Sequence, residues 1–172
     1  MTETRLLKFD VPAFEAVLLP DRGLIRRRAK RFVAIETSLF HPAEQPLGSV
    51  ELAFRLELAD QHRRPLQRFA VLARLAIQAL REASSEEEKL PIPAVAIDSD
   101  GQPARRAELM LTVFMAQPRE EPEIEPLMCF SLAHQDHTPL QSFALPWRQA
   151  TLAVISALEA GGLTTASNGK RA

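Results

Sequence analysis

Six cations crowd into eleven residues near the start of this chain. Arg22, Arg26, Arg27, Arg28, Lys30 and Arg31 stand against a single acid, Asp21, across residues 21–31. The formal charge of the whole chain is −1, so everything outside that segment is net acidic. A basic cluster on an acidic body is suited to contact with an anion or polyanion. Single-stranded nucleic acid needs cations for its phosphates and flat side chains for its unstacked bases. Phe32 adjoins the cluster, and Arg55, Arg63, Arg64 and Arg68 follow within two further segments. Arg105 and Arg106 supply a weaker counterpart later in the chain. These residues form the candidate nucleic-acid-binding set; the plainer alternative for the cluster at its head is a solvated hairpin loop.

Other chemistry is thinly represented. Asp60, His62, His134, Asp136 and His137 could ligate a metal only if two distant loops met, and their spacing reads more simply as polar hairpin turns. Six glycines leave no phosphate-cradling loop, and neither GxGxxG nor GxxxxGK[ST] occurs. No paired carboxylates or nucleophile elbow suggest catalysis. The expectation is therefore a non-enzyme with no cofactor, no metal and no small-molecule substrate.

The elements that must position these residues are legible because much of the chain is said twice. From residue 58 to 79, eleven of 22 positions are identical to those 74 residues later. Leu58-Ala59, Gln61, Pro65-Leu66-Gln67 and Phe69-Ala70 recur as Leu132-Ala133, Gln135, Pro139-Leu140-Gln141 and Phe143-Ala144. Upstream, Ala16-Val17, Gly23 and Arg27-Arg28-Ala29 match Ala94-Val95, Gly101 and Arg105-Arg106-Ala107 at an offset of 78. A repeat of this kind governs the architecture before any single motif does. We read one domain, 1–172, made of two units, 12–83 and 91–160. An acidic linker at 84–90 joins them, and a flexible tail follows at 163–172.

Within a unit the periodicities are distinct. Val50–Leu58 alternates, with Leu52, Phe54, Leu56 and Leu58 on one side and Glu51, Arg55 and Glu57 on the other, as a half-buried strand does. Phe14–Leu19, Arg31–Phe40, Ala107–Gln117 and Leu127–Ala133 read as strands from their β-branched and large apolar content. Leu66–Val71 and Leu140–Leu145 read as fourth strands. Apolar stripes at helical spacing predict helices at about 72–82 and 147–160, with Pro146 as a first helical residue. The expected fold class is α+β: two tandem ββββα repeats, with antiparallel sheets packed about a helical kernel.

That pattern resembles the Whirly family and its PUR-type relatives. The topology match covers nearly the whole chain. The residue-level match covers about 30 residues: the strand Cys129-Phe130-Ser131-Leu132, then Ser142-Phe143-Ala144-Leu145-Pro146 and the helix Ala150–Leu158. The family's Lys-Gly-Lys-Ala-Ala-Leu strand motif is missing, and Arg26–Arg31 lies in a comparable place without matching it. The resemblance implies single-stranded nucleic acid, DNA more than RNA, bound along the sheets of a homo-tetramer held together by its helices, with a role in replication, repair, recombination or transcription.

Composition adds broader expectations. At 46% hydrophobic and 25% charged residues the chain is globular. No apolar run approaches a membrane span, no leader pattern opens the chain, and one cysteine, Cys129, suits a reducing cytoplasm. A homo-oligomer without membrane association is expected. The alternative is an oligomeric protein-interaction or chaperone-like module that binds no nucleic acid.

Overall fold

The structure is a computed structural model that describes residues 9–19, 24–40, 51–85, 88–99, 103–118 and 125–160. In chain order the elements are β1 (Phe9–Leu19), β2 (Leu24–Phe40), β3 (Glu51–Ala59), β4 (Pro65–Leu72), α1 (Ala73–Glu82), β5 (Ile92–Ile97), β6 (Pro103–Pro118), β7 (Leu127–His134), β8 (Pro139–Pro146) and α2 (Trp147–Ala160). Pro146 closes β8, and the helix begins one residue later. The Pro-rich segments 42–46 and 119–122, Glu86 and Glu87 of the linker and the tail 163–172 lie outside the described residues.

The eight strands close into one barrel in the order β1 to β8. This corrects the expected α+β arrangement of two sheets about a helical kernel. The physical reason lies at the strand edges. Two open four-stranded sheets would each leave two rows of unpaired backbone groups, and closure joins those edges at two seams. β4 pairs β5 through Phe69↔Ala96 and Ala70↔Val95, and β8 pairs β1 through Phe143↔Glu15 and Ala144↔Phe14. These two seams are short, whereas β2 and β3 register over nine residue pairs and β6 and β7 over eight.

The core is built by strands. The largest fully buried side chains among the described residues are Phe54, Phe69, Phe143, Leu58, Leu109, Leu127, Leu132 and Cys129, and every one is on a strand. The helices bring small residues to the same interior: Ala73 from α1, and Ala150, Ala153 and Ala157 from α2. Alanine lets a helix approach the strands closely, so α1 and α2 cover the barrel core without forming it.

Register corrects the sequence alignment of the first strands. β3–β4 pairings recur in β7–β8 at an offset of 74, as Ala53↔Leu72 and Leu127↔Pro146 show. Val33↔Leu58 and Leu111↔Leu132 place β2 and β6 at an offset of 78. Val11 pairs Val33 as Ile92 pairs Leu111, so β1 and β5 correspond at 81, not 78. Strand alternation lets β1 serve two sides, and the bulge beside Glu15 puts its extra residue on β2. Ala13 belongs to the barrel core, and Ala16 belongs to a second cluster with Ala116, Leu127, Cys129 and Ala144.

The β3–β4 and β7–β8 turns have one conformation. Arg63 N–H donates to the Asp60 carbonyl and His137 N–H to the His134 carbonyl, at 3.0 and 2.9 Å. Arg63 and His137 both take positive φ, 65° and 70°, a region that favours glycine. His137→Gly should therefore raise stability by about 0.5–1 kcal/mol, read from the urea midpoint. At the seams, Phe69→Ala and Phe143→Ala should each cost about 3–5 kcal/mol, because each ring is fully buried where only two residue pairs hold the closure.

Candidate functional site

The basic cluster is strand, not loop. β2 begins at Leu24, and Arg26–Arg31 pair with β1 from Val17 to Ala13. Burial divides the cations. Arg26, Arg28 and Lys30 are exposed, while Arg27 and Arg31 are half-buried. The three exposed cations follow one another along β2 as a row, but the β1–β2 register steps from Phe14↔Lys30 to Ala16↔Arg27, so a bulge at Arg28–Ala29 turns Lys30 to the face of Phe14 and Arg27 and leaves Arg26 and Arg28 on the other.

The alternate cations are used within the fold. Arg31 Nη2 donates to Glu15 Oε2 at 2.8 Å, and Nη1 donates to the Lys30 carbonyl at 3.0 Å. The Arg31 side chain is only 14% exposed, and its buried Nε has no hydrogen-bond partner. Arg27 lies over the Phe14 ring at 4.9 Å. Arg31 therefore holds β1 to β2 rather than facing a ligand.

The row ends at an aromatic platform. Phe32 is half-buried, with the Lys30 ammonium 5.2 Å from its ring centre. The Arg63 guanidinium reaches from the β3–β4 turn and stacks 3.6 Å from the same centre. The turn that presents Arg63 is pinned by the Asp60 carboxylate, which accepts from the His62 N–H at 2.8 Å and the Arg64 N–H at 2.9 Å. The Arg64 hydrogen bond is the main reason the Asp60 carboxyl sits below its ordinary pKa. Asp136 accepts from the Thr138 N–H in the equivalent turn. Among the described residues no group of three or more His, Cys, Asp or Glu is placed to hold a metal ion.

The remaining sequence candidates divide. Arg64 is exposed beside Arg63. Arg55 and Arg68 are not part of the row; they line a separate polar cleft of about 160 Å³ with Glu36, Glu57 and Asp98. Arg68 Nε donates to Glu57 at 2.5 Å, and Arg55 lies 3.9 Å from Glu36. Three carboxylates against two guanidiniums make that cleft a poor home for phosphate. Arg105 and Arg106 occupy the β6 positions that correspond to Arg27 and Arg28. Arg22 lies outside the described residues. Sequence reasoning missed Glu15, the partner that withdraws Arg31, because only the β1–β2 register brings it within reach.

The buried thiol is not part of the site. Burial pushes Cys129 up to about 12. Its thiol should resist alkylation at pH 8 in the folded protein and react on unfolding. The unfolded thiol ionises near pH 9 while the folded one stays protonated, so stability should fall as pH rises above 9, measured by denaturant titration across pH 8–11. Arg31→Ala should cost about 1–3 kcal/mol of stability, unlike the exposed cations beside it, as thermal melts of single variants would read.

No protein-family model, curated protein or solved structure matches this chain.

Proposed function

We propose that the exposed row Arg26, Arg28 and Lys30, with the Phe32–Arg63 stack at its end, binds single-stranded nucleic acid, DNA in preference to RNA, with little sequence preference. The observation that carries this reading is the coincidence of the two features on β2. Exposed cations that follow one another along an extended strand suit a backbone of successive phosphates, and the guanidinium of Arg63 offers a face on which a base can stack. Arg64 extends the positive surface beyond the stack. The carboxylate-rich cleft around Arg55 and Arg68 stands apart and offers phosphate no home. The resemblance of residues 129–158 to Whirly proteins supports the same class of ligand. Such a protein would serve replication, repair, recombination or transcription as a non-enzymatic binder.

Each neutralised phosphate of a single strand contributes a slope of about −0.7 in log affinity against log salt, so three cations give a slope of about −2. Fluorescence anisotropy with labelled oligonucleotides at several salt concentrations should return that slope for wild-type protein. The triple variant Arg26→Ala, Arg28→Ala, Lys30→Ala should flatten it and weaken all sequences about equally, with an unchanged melting temperature. Arg63→Ala should weaken binding without changing the slope as much as the triple variant does. Equal affinity for duplex and single strand, or no affinity for either, overturns the reading and leaves the row to an acidic protein partner.

A further inference from the structure

We propose that the outer face of α2 pairs with the same face of a second copy of this chain, the two helices running antiparallel about a two-fold axis. Arg148, Leu152, Ile155 and Glu159 all point away from the barrel; Leu152 is 60% exposed and Ile155 is 45% exposed. At 3.6 residues per turn these four positions fall within a stripe about 60° wide and about 16 Å long. The order along the stripe is cation, leucine, isoleucine, anion. Laid antiparallel on itself, it matches at every position. Arg148 meets Glu159 of the partner subunit, Leu152 meets Ile155 of the partner subunit, and the reciprocal pairs follow by symmetry. An isologous interface requires this self-complementarity.

The fold itself does not require an apolar stripe there. The equivalent α1 positions, 74 residues earlier, are Arg74, Gln78 and Arg81, all polar and exposed. α1 therefore covers the barrel with a wet outer face, while α2 does the same work and leaves two large apolar side chains in water. The apolar surface also continues sideways. Ile155 borders a groove of about 510 Å³ between the two helices, lined by Ile77, Leu80, Trp147 and Leu158. A leucine of the partner subunit set against Ile155 would face the mouth of that groove. Arg148 lies 3.5 Å from Glu125 of its own chain, but it is 70% exposed, and so weak a pair exchanges readily for one across an interface.

The proposal is independent of the nucleic-acid reading, and sedimentation equilibrium of the full chain tests it. Wild-type protein should show twice the 19.2 kDa chain mass at micromolar concentration, or a higher even multiple. Leu152→Glu should halve the mass, whereas Gln78→Glu at the matching α1 position should leave it unchanged. Arg148→Glu and Glu159→Arg should each weaken association at least tenfold by setting like charges opposite each other. The double variant should recover it, and an equimolar mixture of the two single variants should form heterodimers more tightly than either self-associates. All four residues are exposed, so thermal melts of dilute variants should match wild type and exclude misfolding. Wild-type protein that stays at 19.2 kDa overturns the proposal and leaves the stripe to a partner of other sequence. An assembly that survives Leu152→Glu, or a double variant as weak as the singles, also overturns it.

Discussion

Closure of the barrel at its two seams is the constraint on which everything else rests. At each seam a phenylalanine and an alanine of one strand meet the first strand of the other half: Phe69-Ala70 against β5 and Phe143-Ala144 against β1. All four side chains are buried, and the two dipeptides are identical. The phenylalanine fills the interior next to the closure. The alanine, on the opposite side of the strand, leaves room for the neighbouring backbone. Without the seams the chain would be two curved sheets with bare edges, and the core that Phe54, Leu58, Leu109 and Leu132 share would be split. The β2 bulge opposite Glu15 lies beside one seam, where Glu15 holds Arg31 while Arg28 and Lys30 face water.

The two halves use one scaffold for different surfaces. On β3 and β4 the outward positions carry Arg55, Glu57 and Arg68, which form a charged cleft; on β7 and β8 the corresponding positions are Cys129, Ser131 and Ser142. There the outer face is apolar enough at Cys129, Leu127 and Ala144 to pack beneath Ala16. α1 and α2 diverge in the opposite sense, with α1 wet and α2 apolar on its outer stripe. Because the interior is held constant by the repeated residues, the outer faces are free to differ, and the candidate binding row and the candidate helix interface lie on different halves. No helix among the described residues is long and apolar enough to cross a membrane.

What could be read locally was read well. The alternation of Glu51–Leu58 marks β3, and the apolar stripes place helices that the structure has at 73–82 and 147–160. The reading of Arg26–Arg31 as loop failed for a physical reason. A run of cations carries no apolar period, yet a barrel strand can hold Arg31 on Glu15 and Arg27 on Phe14 while the cations between and beside them face water. Likewise, Arg55 and Arg68 look like ligand-seeking cations in the sequence; only the pairing of β2, β3 and β4 brings Glu36 and Glu57 against them.

The sequence by itself determined the recurrence of the two halves, the positions of the strands and helices that follow a clear period, and the concentration of positive charge near residue 28. These depend on neighbours a few residues apart, and side-chain chemistry at that range is written directly in the order of residues. Only the tertiary structure decided that the strands close into one barrel, that β1 and β5 correspond three residues away from their sequence alignment, and which cations are tied to carboxylates and which line the surface. Those outcomes depend on pairings such as Phe143 with Glu15, where closure satisfies backbone edges that lie far apart in the chain, and an edge left unpaired has no local signature.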